Sequence, residues 1–297
     1  MTDERTPEAL VAGLVQLLDV EMLDIDLFRG PRQPGGEGRV FGGQVIAQAL
    51  QAAQRSVAAE QVAHSLHAYF MRPGDENLPI LYRVERDFDG RSFANRRVVA
   101  MQRGQPILNL TASFQRPEPG YAHQIPMPEG VPEPEALPSE RELIAMMPDS
   151  ALPALRRLIA RGRPIEIRPA SRHSWLATEP GEPVQHSWFR VVAPPGDDLA
   201  LHRAMLAYAS DMTLLGTSLL PHGASWARGQ VQTASLDHAI WFHEPFRADQ
   251  WLLYTTDSPW SGHSRGFNRG RIYTREGQLV ASVAQEGLIR PRTPRQD

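Results

Sequence analysis

Cysteine is absent from the 297 residues, and so is lysine. The first absence excludes disulfides, thiolate metal sites and a cysteine nucleophile. The second makes all 31 basic side chains arginine, a residue suited to bidentate phosphate contacts. No apolar run approaches the roughly 18 residues of a membrane-spanning helix, so no membrane insertion is expected. A net charge of −3 gives no electrostatic case for nucleic acid or an acidic membrane. The 10 histidines show no zinc-site spacing, so neither metal nor cofactor is expected. Met1-Thr-Asp-Glu-Arg is polar and acidic, unlike a secretory signal, and Pro294-Arg-Gln-Asp is not a peroxisomal address. The expected compartment is the cytoplasm. What remains is a globular composition, 41% hydrophobic and 22% charged, in a chain long enough for two domains.

The chain is organised around Leu201 to Leu220. Leu201, Met205, Tyr208, Met212, Leu215 and Leu219 recur at steps of three and four, which predicts one helix with an apolar face. Asp211 sits at the edge of that face. Its helical neighbours, Ala207, Tyr208, Leu214 and Leu215, cannot pair its charge, so something beyond the helix must satisfy it.

Other segments fall around this stretch. Residues 7 to 19, with Leu10, Val11, Leu14, Leu17 and Leu18 in apolar period, read as a short N-terminal helix, and Asp24 to Gly30 as a first strand. Gly42-Gly43 opens a helix over residues 43 to 57, rich in alanine and apolar on most faces. Four strands follow, His64–Met71, Pro79–Asp87, Ser92–Gln102 and Ile107–Gln115, with Asp89-Gly90 and Arg103-Gly104 as turns. Residues 117 to 170 are crowded with proline and read as a linker with short helices near Glu140–Met147 and Leu152–Arg161. Val184–Val192 is a strand before the central helix. Four more follow it: Leu236–His243, Trp251–Asp257, Gly266–Thr274 and Leu279–Ile289. A helix followed by strands, twice, predicts an α+β fold of two helix-plus-antiparallel-sheet repeats. The expected divisions are 1–118, 119–169 (linker) and 170–297.

The halves superpose at a shift of 172 residues. Phe70 meets Phe242, Pro73 meets Pro245, Tyr82 meets Tyr254 and Gly90 meets Gly262. Ser92 meets Ser264, Arg97 meets Arg269, Arg103 meets Arg275 and Ala112 meets Ala284. Chance would give about three identities over that span. The helices align best at a shift of 160. These shifts place Gln51, Ala63 and Ser113 opposite Asp211, Ser235 and Gln285. The first half thus lacks the acid, and one working site per chain is expected.

With these pieces in view, the chain resembles the acyl-CoA thioesterase II family, a double hotdog. The matching stretches are Val40-Phe-Gly-Gly-Gln-Val-Ile-Ala-Gln-Ala-Leu50, His64-Ser-Leu-His-Ala-Tyr-Phe-Met-Arg-Pro-Gly74, Tyr208-Ala-Ser-Asp211, Leu236-Asp-His-Ala-Ile-Trp-Phe-His243 and Gln285-Glu-Gly287. The resemblance implies two repeats joined in one continuous sheet, acyl-CoA as substrate, and a homo-oligomer (dimer or tetramer). It also implies a catalytic set of Asp211, Ser235 and Gln285, with Ser235 where a relative carries Thr.

Those residue types suit the chemistry. A thiolate with a pKa near 8.5 leaves with little acid assistance, so water activation and oxyanion stabilisation are the demanding steps. Asp211 is fit to take a proton from water, while Gln285 and Ser235 each offer a donor and an acceptor. Gln285 shares a strand face with Leu279, Ala281, Val283, Gly287 and Ile289. Ser235 fits less well, because the alternation of Leu236, Ile240 and Phe242 puts it on the opposite face. Gly42, Gly43, His64, Arg265 and Arg269 are candidate substrate contacts, the glycines through a helix N-terminus. Asp237-His238 looks like a dyad, but strand neighbours point to opposite faces. The competing expectations are an acyl-CoA-binding protein without catalysis and a hotdog hydratase, which needs an Asp–His pair.

Overall fold

The protein is described here by a computed structural model covering residues 6–33, 38–147 and 162–292. The helix expected near Leu152–Arg161 lies outside the described residues. Helix α1 (Pro7–Leu18) and the hairpin β1 (Glu21–Asp24) and β2 (Leu27–Gly30) precede α2 (Gly42–Gln54). The first strand expected at Asp24–Gly30 is thus split by a turn, where Asp26 has φ 57°. Strands β3 (Val62–Phe70), β4 (Ile80–Asp89), β5 (Phe93–Gln102) and β6 (Gln105–Gln115) follow. Arg103 and Gly104 turn between the last two with φ 50° and 71°, the left-handed pair a tight hairpin requires.

The proline-rich stretch contains α3 (Glu140–Ala145) and ends in a strand, β7 (Ile165–Pro169). Beyond it come β8 (Val184–Val191), α4 (Leu199–Ser210), β9 (Val231–Ser235), β10 (Asp237–Phe242), β11 (Leu252–Gly262), β12 (Arg265–Thr274) and β13 (Leu279–Pro291). One 13-stranded antiparallel sheet runs β1-β2-β4-β5-β6-β3-β10-β13-β12-β11-β8-β7, with β9 also on β13. The expected α+β architecture of two repeats sharing one sheet is what forms.

The repeats join where β3 pairs with β10. There His67 lies opposite Ala239, its own counterpart at the 172-residue shift, so a pseudo-twofold axis passes between them. The shift holds through β4–β5 and β11–β12. Tyr82 pairs with Ala100 as Tyr254 pairs with Ile272, and even the bulges near Arg86 and Asp257 repeat. On the last strand of each repeat it changes by one. Arg96 faces Ala112 where Asn268 faces Gln285, so the counterpart of Gln285 is Ala112, not Ser113.

Helices α2 and α4 pack antiparallel against each other and the inner sheet face. Small residues permit the approach: Ala47, Ala49, Ala204 and Ala207 are buried at the common core, beside Ile46, Leu50, Met205 and Leu206. Each fully buried side chain of leucine size contributes about 1.5–3 kcal/mol. The predicted single helix Leu201–Leu220 is not continuous. The α-helix stops at Ser210, Asp211 is its C-cap, and a 3₁₀ segment (Leu214–His222) takes over. Among the described residues no helix is long and apolar enough to cross a membrane.

Candidate active site

Asp211 therefore stands at a helix end rather than mid-helix, and it faces the N-terminus of α2 from the other repeat. Gln285 Nε2 donates to Asp211 Oδ1 at 2.7 Å, and Ser235 Oγ donates to the same oxygen at 3.1 Å. The Gly43 backbone N–H also donates to the carboxylate. Burial raises the Asp211 pKa to about 6, against the opposing pull of the Gln285, Ser235 and Gly43 hydrogen bonds. Gln285 is fully buried, and its Oε1 has no partner. An unmatched buried acceptor beside a carboxylate is suited to a water proton.

The glycines are explained by proximity. A Cβ on Gly42 would fall 2.6 Å from Asp211 Oδ2, and one on Gly43 would collide with the Tyr208 carbonyl. Phe41, the N-cap of α2, offers no side-chain cap; its carbonyl takes the Gln44 N–H, which leaves the Gly42 and Gly43 N–H groups to the site. Its ring meets Tyr208 edge-on at 5.0 Å. A cavity of about 500 Å³ opens from Asp211 and is walled by Phe41, Tyr208, Ile165, Trp175, Leu215 and Trp226, among others. On the same wall the buried Glu140 pairs with Arg163.

Ser235 reaches the site through a bulge. It pairs with Gly287 on β13, while Ala239 pairs with Ala284, so the register slips by one residue at Leu236. The slip moves Ser235 to the inner face, which corrects the alternation argument that put it outside. His64 is the matching bulge residue in β3. It bonds Ser113 Oγ at 2.8 Å, stacks edge-on with Phe93 and does not line the cavity that opens from Asp211. Arg265 is paired with Glu286 at 3.3 Å and Arg269 with Asp257 at 2.6 Å; neither reaches the site. Asp237 accepts from the Glu286 N–H, whereas His238 bonds Ser210, so the two diverge. Burial drives the His238 pKa down to about 3. Among the described residues no three His, Asp or Glu side chains converge as metal ligands. Gly262-His-Ser-Arg-Gly266 matches the pattern of a serine-hydrolase elbow. It is instead the turn of the β11–β12 hairpin, with His263 and Ser264 at φ 50° and 60°.

Comparison with known proteins decides the family. The acyl-CoA thioesterase pattern matches residues 159–288, and the acyl-CoA thioesterase N-terminal domain matches residues 29–115. Human acyl-coenzyme A thioesterase 8 is 44% identical over 281 residues, covering 92% of this chain and 88% of that one. The chain belongs to the acyl-CoA thioesterase II family. An acyl-CoA thioesterase II structure from Mycobacterium marinum superposes with a TM-score of 0.77 at 41% identity, over 94% of this chain and 98% of that one. A hot dog protein from Alicyclobacillus acidocaldarius superposes at 0.73 with only 19% identity, over 94% and 98%, a likeness of fold alone. Within this thioesterase the sequence reading missed Phe41, Tyr208 and the Glu140–Arg163 pair as cavity walls. Phe41 carried a signal, since it directly precedes the paired glycines. Glu140 and Arg163 lie in the proline-rich stretch and had none.

Proposed function

We propose that Asp211, Ser235 and Gln285 form the hydrolytic centre of this acyl-CoA thioesterase, and that hydrolysis proceeds by activated water. The observation that carries the reading is the convergence of Gln285 and Ser235 on one oxygen of a carboxylate whose pKa is about 6. A base poised near neutrality suits proton abstraction. Water lodges between Asp211 and the free Gln285 Oε1, gives its proton to Asp211, and attacks the thioester carbonyl. The C–O bond forms as the carbonyl π electrons move onto oxygen. The Gly42 N–H and the positive end of that helix stabilise the oxyanion, the Gly43 N–H being held by Asp211. Collapse breaks the C–S bond, and the departing thiolate takes up the proton held by Asp211. The products are a free fatty acid and coenzyme A. Gln285 and Ser235 hold the carboxylate and water in line, and the large cavity takes the acyl chain.

Thiol release from an acyl-CoA series of increasing chain length tests the reading. A thiol dye meets no protein background, since the chain has no cysteine. Tight binding of acyl-CoA without thiol release would sink it. We propose a homo-oligomer as well. Tyr69 (62% exposed) and Trp241 (37%) lie on the outer face of β3 and β10, an apolar patch beside the pseudo-twofold axis. Sedimentation velocity checks this. The proposed compartment is the cytoplasm, which cell fractionation tests.

A further inference from the structure

Two cavities meet at the hydrolytic centre. The larger one is described above. A second, of about 330 Å³, shares Val40, Gly42, Thr233, Ala234 and Ser235 with it and leads out past Phe70 to Gly74. Its walls carry two arginines, Arg39 and Arg72. Arg163, on the larger cavity, is neutralised by Glu140. Arg39 and Arg72 are not. Among the described residues the Arg39 side chain makes no ion pair and no hydrogen bond, and Arg72 gives one N–H to the Pro106 carbonyl at 2.9 Å. Asp75 is bridged to Arg39 through the backbone. Its carboxylate instead meets Arg103 at 3.2 Å and caps the Asn77 N–H at 3.0 Å. The Val40 N–H donates to the Gly74 carbonyl at 3.0 Å, tying the Arg39 and Arg72 segments into one rim.

Guanidinium groups without carboxylates on an exposed rim favour a phosphorylated ligand, because their forked donors match phosphate oxygens. By contrast Arg265 and Arg269, the arginines favoured on sequence, already have acids. We infer that Arg39 and Arg72 hold the phosphates of the coenzyme A moiety. This rests on the hydrolytic reading above and divides the substrate: the pantetheine arm occupies the smaller cavity, the thioester lies at Ser235 and Asp211, and the acyl chain fills the larger cavity.

The test compares decanoyl-CoA with decanoyl-pantetheine, which keeps the thioester and lacks the phosphates and nucleotide. The readout is the ratio of the two kcat/KM values. In Arg39→Met/Arg72→Met the ratio should fall at least about tenfold, the scale of one charged hydrogen bond, mainly through KM for the CoA thioester. Added salt should lower the wild-type ratio and leave that of the variant nearly flat. Arg39→Met alone breaks no side-chain bond among the described residues, so folding does not confound it, and it should show part of the fall. Arg265→Met/Arg269→Met should keep the wild-type ratio. An unchanged ratio in the double variant, or an equal loss on both substrates, overturns the assignment. If the wild type releases thiol from neither substrate, the hydrolytic reading fails instead. Calorimetry with free coenzyme A then decides: tenfold weaker binding by the double variant supports the clamp, and equal binding overturns it.

Discussion

The two repeats end their helices differently. At the carboxyl end of α4 the second repeat leaves Asp211 facing a cavity, with Ser235 and Gln285 turned towards it. At the carboxyl end of α2 the first repeat has filled that position. Gln54 donates to the Gln61 carbonyl at 2.8 Å and accepts from Ala63, the counterpart of Ser235. Sequence alignment paired Gln51 with Asp211, but the residue that meets Ala63 is Gln54. Arg96, the counterpart of Asn268, is 1% exposed and gives N–H groups to Ser56 Oγ at 2.9 Å, the Ser56 carbonyl at 3.0 Å and the Phe88 carbonyl at 3.0 Å. Thus one scaffold has been closed with satisfied hydrogen bonds at one end and left with unsatisfied ones at the other. The unmatched Gln285 Oε1 marks the end at which chemistry is expected.

That contrast can be broken most severely at Asp211. Asp211→Asn should lower thiol release by about two orders of magnitude or more while the chain stays folded. Gln285→Ala should follow with a loss of about tenfold to a hundredfold, since it removes a donor to the carboxylate and the acceptor proposed for the water. Gly43→Ala pushes α2 from α4; a loss of about 1–3 kcal/mol in denaturant unfolding should accompany reduced activity.

The pH dependence sharpens the same contrast. With the Asp211 pKa at about 6, kcat/KM should fall as pH drops below that value. Stability runs the other way. The folded pKa lies above the usual 3.8, so the contribution of this group is fully present below pH 3.8 and is lost as pH rises to about 6. Asp211→Asn should therefore raise Tm at pH 7 and not at pH 3.5. In the closed repeat the expected effects reverse. Arg96→Met should cost about 1–3 kcal/mol of stability, because it strands the Ser56 and Phe88 carbonyls, yet leave thiol release per folded molecule unchanged. The smallest effect is expected for Ser235→Thr, which keeps the donor to Asp211; activity within about threefold of wild type would fit a role confined to the hydroxyl.

Much of this was legible in the chain. Strands with strict alternation, such as Leu108–Gln115, declare their inner face, and the alanines of α2 declare close packing. The 172-residue shift recovered the pairing axis because β3 and β10 differ by no insertion. The misreadings have particular causes. Leu201–Leu220 looked like one helix because apolar residues at steps of three and four satisfy an α-helix and a 3₁₀ turn alike over so short a run. Gly216 and Pro221 were the available signals. Ser235 looked outward because a one-residue bulge inverts faces and leaves no mark in a hydropathy pattern. Arg265 and Arg269 stand as candidate contacts on sequence because their acids, Glu286 and Asp257, come from neighbouring strands. Pairing across a sheet is not written in sequence spacing.

The β3–β10 seam has a consequence for descent. In an assembly of two identical chains every substitution is made twice, so an acid gained at one helix end is gained at the other. Here the halves are tethered in a single polypeptide, and each position mutates alone. Arg96 and Asn268 could diverge without either change being forced on its twin. Tethering therefore gave selection a spare half, free to become a rigid support while the other kept its opening.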